Sequence, residues 1–146
     1  MPRMAGADDT HSVGAIPDGG FAPLVPEIAV RDLAAALDFW TGILGFRIAY
    51  AREGFAYLEH PDGAQVMLGA FGRCFAGAAP GTRGLMLQIT VRSLDPVIAA
   101  MDAAGIPLHT PPGEVTRRTG DRDTTRREVR LRDPDGTLVL LAEPPR

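Results

Sequence analysis

The sequence predicts an α+β fold made of two βαβββ modules. The first observation behind this is a repeat. Val30-Arg31-Asp32-Leu33 leading to Gly45 returns as Val91-Arg92-Ser93-Leu94 leading to Gly105, and the His60-Pro61-Asp62-Gly63 turn with the apolar run after it returns at Asp133-Pro134-Asp135-Gly136. The offsets are 61 residues from Val30 to Val91, 60 from Gly45 to Gly105 and 73 from Pro61 to Pro134, so the order is kept while one connection lengthens. The second observation is that in each copy the apolar period passes from strand-like to helical and back to strand-like. Paired half-units of this kind enclose a pocket, and equivalent positions of both halves converge on it.

Leu24 to Val30 is a short β-branched run and reads as a strand. Asp32 then offers an N-cap, Leu33, Leu37, Trp40 and Leu44 recur at helical spacing, and Gly45 supplies the stop. Phe46 to Ala51, Phe55 to His60 and Gln65 to Phe71 are the three strands that follow, divided by Glu53-Gly54 and by the Pro61-Asp62-Gly63 turn. The second half repeats the order with a strand from Leu85 to Val91, Ser93 as N-cap, a helix through Val97, Ile98 and Met101, and Gly105 as the stop. Ile106 to Thr110, Val129 to Arg132 and Thr137 to Ala142 are its strands, with the extra residues in a loop from Pro111 to Arg127. Gly72 to Thr82, rich in Gly, Ala and Pro, reads as the linker between halves. The expected organisation is a flexible tail over 1–20, then one domain over 21–146 with modules at about 24–71 and 84–143.

Composition narrows the function classes. The chain has 146 residues, 45% of them apolar, which is enough for one substantial core. A net charge of -3 gives no global field for nucleic acid or an anionic membrane, and neither is an expected partner. All 15 basic residues are Arg, a compositional bias without mechanistic content. Cys74 is the only cysteine, so an internal disulfide and a Cys-based metal cluster are excluded. With no long apolar run and no signal-like leader among the first twenty residues, a cytoplasmic setting is expected.

Each sheet covers its helix with one face and leaves the other free to curve around a cavity. Period-two alternation sorts the faces. With Leu87, Ile89 and Val91 on the second helix, Met86, Gln88 and Thr90 look into the cavity. Gln65, Met67, Gly69 and Phe71 do the same in the first half, joined by Val25, Glu27 and Ala29, and Leu138, Leu140 and Ala142 complete the set beside Glu128 and Arg130.

Strand-Asp-Leu, Phe39-Trp40, Leu44-Gly45-Phe46, Phe55-Ala56-Tyr57-Leu58-Glu59, Met67-Leu68 and Asp133-Pro134-Asp135-Gly136 in this order resemble the vicinal oxygen chelate superfamily. Within it the similarity is to glyoxalase-like bleomycin resistance proteins, over about Leu24 to Glu143. The resemblance implies the glyoxalase/bleomycin resistance/dioxygenase fold and a homodimer. Enzymes of the superfamily hold a divalent metal with His, Gln or Glu from the first and fourth strands of each unit, and the matching positions here are Val25, Met67, Met86 and Leu140. Val25 and Leu140 have no donor, and a thioether suits soft copper at best. The expectation is therefore no metal and no cofactor, which leans away from an enzyme and leaves catalysis open.

What remains is binding. The expected function is that of a metal-free protein of the bleomycin-resistance type, sequestering an antibiotic or a similar bulky hydrophobic or amphipathic molecule. The candidate ligand-binding residues are Glu27, Phe55, Tyr57, Met67, Phe71, Met86, Gln88 and Arg130. Phe55, Tyr57 and Phe71 are candidates for stacking, against the alternative of plain sheet packing. Glu27 either pairs with Arg130 or another Arg, or meets a cationic ligand group. Trp40 reads as core, and His60 and His109 as solvated surface residues. The stretch from Arg117 to Arg132, with seven Arg against Asp121, Asp123 and Glu128, reads as a solvated, salt-bridged loop or as a lid whose guanidinium groups meet a carboxylate or phosphate. Thr125-Arg126 stands where the resistance proteins place an aromatic-Gly pair, which argues against bleomycin itself. The competing readings are a metal-dependent glyoxalase-like lyase or extradiol-dioxygenase-like enzyme with a site displaced to Glu27, Gln88, His60 or His109, and a scaffold whose dimer surface is the product.

Overall fold

The duplicated motifs become duplicated hydrogen-bond registers. The structure, a computed structural model, describes residues 12–71 and 84–146. A short strand β1 (Val13–Gly14) precedes the first unit, which runs β2 (Glu27–Val30), α1 (Leu33–Gly42), β3 (Arg47–Arg52), β4 (Phe55–Glu59) and β5 (Gln65–Ala70). The second unit runs β6 (Met86–Thr90), α2 (Asp95–Ala103), β7 (Thr110–Thr119), β8 (Arg122–Arg132) and β9 (Leu138–Ala142). The sheets are ordered β1-β3-β4-β5-β2 and β6-β9-β8-β7, so each module places its first strand against its last. Both pairs are parallel. Glu27, Ile28 and Ala29 face Met67, Leu68 and Gly69, just as Gln88, Ile89 and Thr90 face Leu140, Leu141 and Ala142.

The helices form where the caps and apolar spacing place them. Asp32 accepts a hydrogen bond from Ala35 N at 3.1 Å, and α1 presents Ala36, Phe39 and Trp40 inward. Gly45 and Gly105 end the two helical turns at φ +80° and +68°, a region open to glycine at no steric cost. Ser93 is not the N-cap of α2. It lies one residue earlier, its Oγ accepting from Asp95 N at 3.3 Å, and the cap position is Leu94, whose N–H goes to Glu143 Oε2 at 3.0 Å. The start is instead favoured by Pro96 in the first turn, which lacks an amide to satisfy.

One apolar core serves both modules. It joins Trp40, Phe46, Leu58 and Leu68 from the first to Val91, Met101, Leu131 and Leu141 from the second. Trp40 is fully buried, as core packing requires, and its Nε1 donates to Asp133 Oδ2 at 3.3 Å. Burial raises the Asp133 carboxyl above the ordinary range, against the opposing effect of donors from Thr137, Trp40 and Asp135.

A reciprocal clasp closes the halves on each other. The Asp62 carboxylate, in the turn of module one, accepts Arg92 N of module two at 2.8 Å. Asp135, in the equivalent turn of module two, accepts Arg31 N of module one at 3.0 Å. The guanidinium groups of the same arginines reach the same carboxylates, at 3.2 Å for Arg92 and 3.5 Å for Arg31. These amides follow the end of an edge strand, so without the opposite turn they would have no backbone partner.

Three expectations are corrected here. The strand expected from Ile106 to Thr110 begins only at Thr110, and residues 111–127 are not a loop, because β7 and β8 form a ribbon paired from Thr110↔Arg130 to Thr119↔Arg122, with a register shift at the two prolines. A two-residue turn with Gly120 at φ +63° closes it. Of the expected tail, residues 13–20 pack against the first sheet: Val13 and Gly14 pair with Ala51 and Tyr50, and a Cβ on Gly14 would collide with the Ala49 carbonyl. Residues 1–11 and the expected linker at 72–82 lie outside the described residues. Among the described residues no helix is long and apolar enough to cross a membrane.

The clasp predicts that Asp62→Ala and Asp135→Ala each lower stability by about 1–2 kcal/mol, the size of a lost charge-assisted hydrogen bond to a carboxylate largely withdrawn from water. Asp135→Asn should lose less, since its amide oxygen still accepts. Urea midpoints compared at constant slope measure this.

Candidate ligand-binding faces

The open face of the first sheet is an aromatic floor. Alternation along β3, β4 and β5 brings Tyr50, Phe55, Tyr57 and Met67 together, with Val25 at their edge. Tyr50 and Tyr57 stack at 5.1 Å with planes 16° apart, and the Arg52 guanidinium lies 4.1 Å over the Phe55 ring.

This floor is covered by the chain itself. The segment after β1 crosses it as a strap, anchored by two side chains about forty residues downstream. Glu59 accepts Asp18 N at 3.0 Å and Gly19 N at 3.3 Å, while Gln65 accepts Ala22 N at 2.9 Å and donates to Gly20 O at 2.7 Å. Tyr57 OH also donates to Gln65, and Arg47 pairs with both Glu59 and Asp18. Phe21 then sets its ring edge-on to Tyr57 at 5.5 Å and to Tyr50 at 6.4 Å. Phe55 and Tyr57 are thereby 3% and 2% exposed, so both take the packing alternative in this conformation. Burial raises the Tyr57 hydroxyl, with the charge of neighbouring groups adding to it.

The open face of the second sheet is built differently. Cross-strand rows align Met86 with Leu138, Gln88 with Leu140 and Arg130, and Thr90 with Ala142 and Glu128. Leu140 and Ala142 are buried in its floor, while Met86 stands 40% exposed. Buried Glu128 accepts from Arg117 through both guanidinium Nη atoms and from Arg126 Nη2 at 3.0 Å. The Arg117 bonds, and then those of Arg126, outweigh burial and hold this carboxyl below its usual range. Gln88, with its amide oxygen turned to the guanidinium, accepts from both Nη atoms of Arg126 at 3.0 Å. Arg130 is half-buried opposite Leu140, and its side chain has no ion pair among the described residues.

The eight candidate residues therefore divide between two faces. Glu27, Phe55, Tyr57 and Met67 belong to the first sheet and Met86, Gln88 and Arg130 to the second, while Phe71 is 47% exposed just beyond β5. Glu27 is exposed and faces Met67, not Arg130, and has no ion pair among the described residues, which corrects the expected pairing. His60 is also corrected. Its ring is nearly buried, 5.1 Å from Phe46 and edge-on to it, and Nδ1 accepts Asp62 N at 3.0 Å. Burial lowers its pKa in spite of Asp62. His109 is exposed, as expected. Sequence reasoning missed Tyr50 and Phe21, and took Arg117 and Arg126 only as members of the Arg117 to Arg132 stretch. Of these only Arg126 carried a signal, its alternation with Glu128 and Arg130 on β8.

A metal does not fit the positions that the superfamily's enzymes use. Val25, Met67, Met86 and Leu140 offer two hydrocarbons and two thioethers, with no imidazole nitrogen or carboxylate oxygen. Among the described residues no three His, Cys, Asp or Glu are grouped so as to hold an ion, so Glu27, His60 and His109 form no displaced site with one another.

Residues 21–141 match the family model for the Glyoxalase/Bleomycin resistance protein/Dioxygenase superfamily. The chain belongs to this superfamily, and its two mixed sheets with few helices have the corresponding fold. A solved member from Sphaerobacter thermophilus is similar at 24% identity and TM-score 0.62, over 85% of this chain and 98% of that one. A virulence protein from Salmonella typhimurium is similar at 21% identity and TM-score 0.64, over 84% and 97%. TioX from Micromonospora sp. ML1 is similar at 22% identity and TM-score 0.62, over 84% and 98%. At these identities the likeness concerns the fold alone. No curated protein matches the chain.

The strap makes a pH prediction. Burial alone would raise the Glu59 carboxyl, but the Asp18 and Gly19 amides and the Arg47 guanidinium bring it below its ordinary value. Its contribution to stability is therefore present above the unfolded value and lost as pH falls through the lowered one. Protection of the Asp18 and Gly19 amides, measured against their intrinsic exchange rates, should fall over that acid range, and Glu59→Gln should show lowered protection at neutral pH with no such acid step.

Proposed function

We propose that this chain is a metal-free small-molecule binding protein of the bleomycin-resistance type, which sequesters an antibiotic or similar bulky compound in the cytoplasm without altering it. The observation that carries this reading is the replacement of the chelating quartet by Val25, Met67, Met86 and Leu140. Without a Lewis acid at that place the superfamily's isomerase and dioxygenase chemistry has no ion to polarise substrate oxygens. Apolar contact remains available there, and Met86 with the Leu138–Leu140 floor is suited to hold the flat face of an amphipathic guest. A homodimer belongs to the same proposal. Leu24, Phe71, Leu85 and Met86 are all exposed, and a second copy set against them would remove that apolar surface from water.

Thermal unfolding of the full chain with a panel of planar aromatic compounds, in the presence and absence of chelator, tests the reading. At least one compound should raise Tm by a few degrees, equally with and without chelator, and Met86→Glu should abolish that rise. A Tm that moves with divalent cations and with no aromatic compound would overturn it, as would about one tightly held transition metal per chain on elemental analysis.

A further inference from the structure

The half-buried arginines of β8 are not equivalent. Arg126 holds Glu128, and Arg127 holds Asp95 at 2.8 Å and Glu143 at 3.6 Å. Arg130, on the same strand and comparably buried, meets no carboxylate among the described residues. A guanidinium drawn out of bulk water without an anion is costly, and its planar fork of five N–H donors is shaped for a carboxylate or phosphate.

The surroundings favour the same occupant. Arg117, Arg126, Glu128 and Arg130 share the open face of the second sheet, so three guanidinium groups stand against one carboxylate. That carboxylate is already engaged by Arg117 and Arg126, and offers an incoming anion little uncompensated charge. The face is thus cationic although the chain as a whole carries a net charge of -3. Beside Arg130 lies Leu140, and beyond it Gln88, whose amide is oriented by Arg126. An apolar floor next to a guanidinium lowers the local dielectric, which strengthens a charge pair formed there.

We infer that the guest of the second sheet carries an anionic oxygen group, a carboxylate or phosphate, and that Arg130 receives it while the apolar body lies over Leu140 and Met86. The inference rests on the sequestering role proposed above and adds to it the chemical class of the guest. Recognition divides between a fork that reads the anion and a floor that accepts any flat apolar surface.

Three probes that differ in one substituent test it: 2-naphthoate, 2-naphthyl phosphate and the neutral 2-naphthamide, titrated calorimetrically into the full chain at low salt. At least one anion should bind about tenfold tighter than the amide, the size of one charge-assisted pair. Arg130→Met, which keeps most of the stem, should reduce that anion to the affinity of the amide and leave the amide unchanged. Arg118→Met, in an exposed hairpin pair, should change none of the three. Should Arg130→Met fail to fold, the wild-type preference should still shrink as salt rises while amide binding holds. Equal affinity for all three probes, or an Arg130→Met loss shared by the amide, would overturn the anion assignment and leave sequestration standing. Absence of binding by all three up to millimolar concentration would overturn both.

Discussion

The two halves are held in one body by two carboxylates exchanged between them. Asp62 and Asp135 occupy the same position in duplicated turns, and each accepts the backbone amide of the arginine that leaves the first strand of the other module. That contact fixes where the chain departs toward each helix, and hence which face of each sheet the helix covers. The shared core, with Trp40 of module one hydrogen bonded to Asp133 of module two, closes over the same junction. The positions of both open faces follow from it. In a duplicated fold each motif thus appears twice because each copy supplies the partner of the other.

Much of this architecture was legible because it is local. Asp32, Gly45, Gly105 and the two Pro-Asp-Gly turns act within a few residues of themselves, and strand alternation placed Ile89 and Val91 on the helix side as Leu58 and Leu68 are. The repeat offsets reappear as paired registers, Glu27 with Met67 and Gln88 with Leu140. Such features are set by backbone geometry and period, which a single sequence carries. The β7–β8 ribbon was not legible, because its outer part is made of Thr, Arg and Asp exposed to water and leaves no apolar period, while Pro111-Pro112 resembles a break. The prolines are tolerated because β7 is an edge strand with a register shift beside them.

The site was legible in its face but not in its partners. Alternation assigned Met67, Met86 and Gln88 to the open faces, yet nothing in the sequence tied Gly19 to Glu59 or Ala22 to Gln65, contacts across forty residues or more between a side chain and a backbone amide. A buried Glu59 at the end of an apolar strand was the one sign that a donor had to arrive from elsewhere. The near burial of the His60 ring likewise depends on its edge-on contact with Phe46. Contacts of this kind are set by tertiary approach and leave no mark on local pattern.

The strap ends the equality that duplication began. Each module has an open sheet face, but that of the first is covered by Phe21 and by the peptide on either side of it, while Met86 on the second stays 40% exposed. The chain is a lopsided pair, with its aromatic face spent inside the molecule and the other face bordered by solvent at Met86. Under the sequestering role proposed above, this asymmetry would leave one guest per polypeptide, where two alike faces would take two.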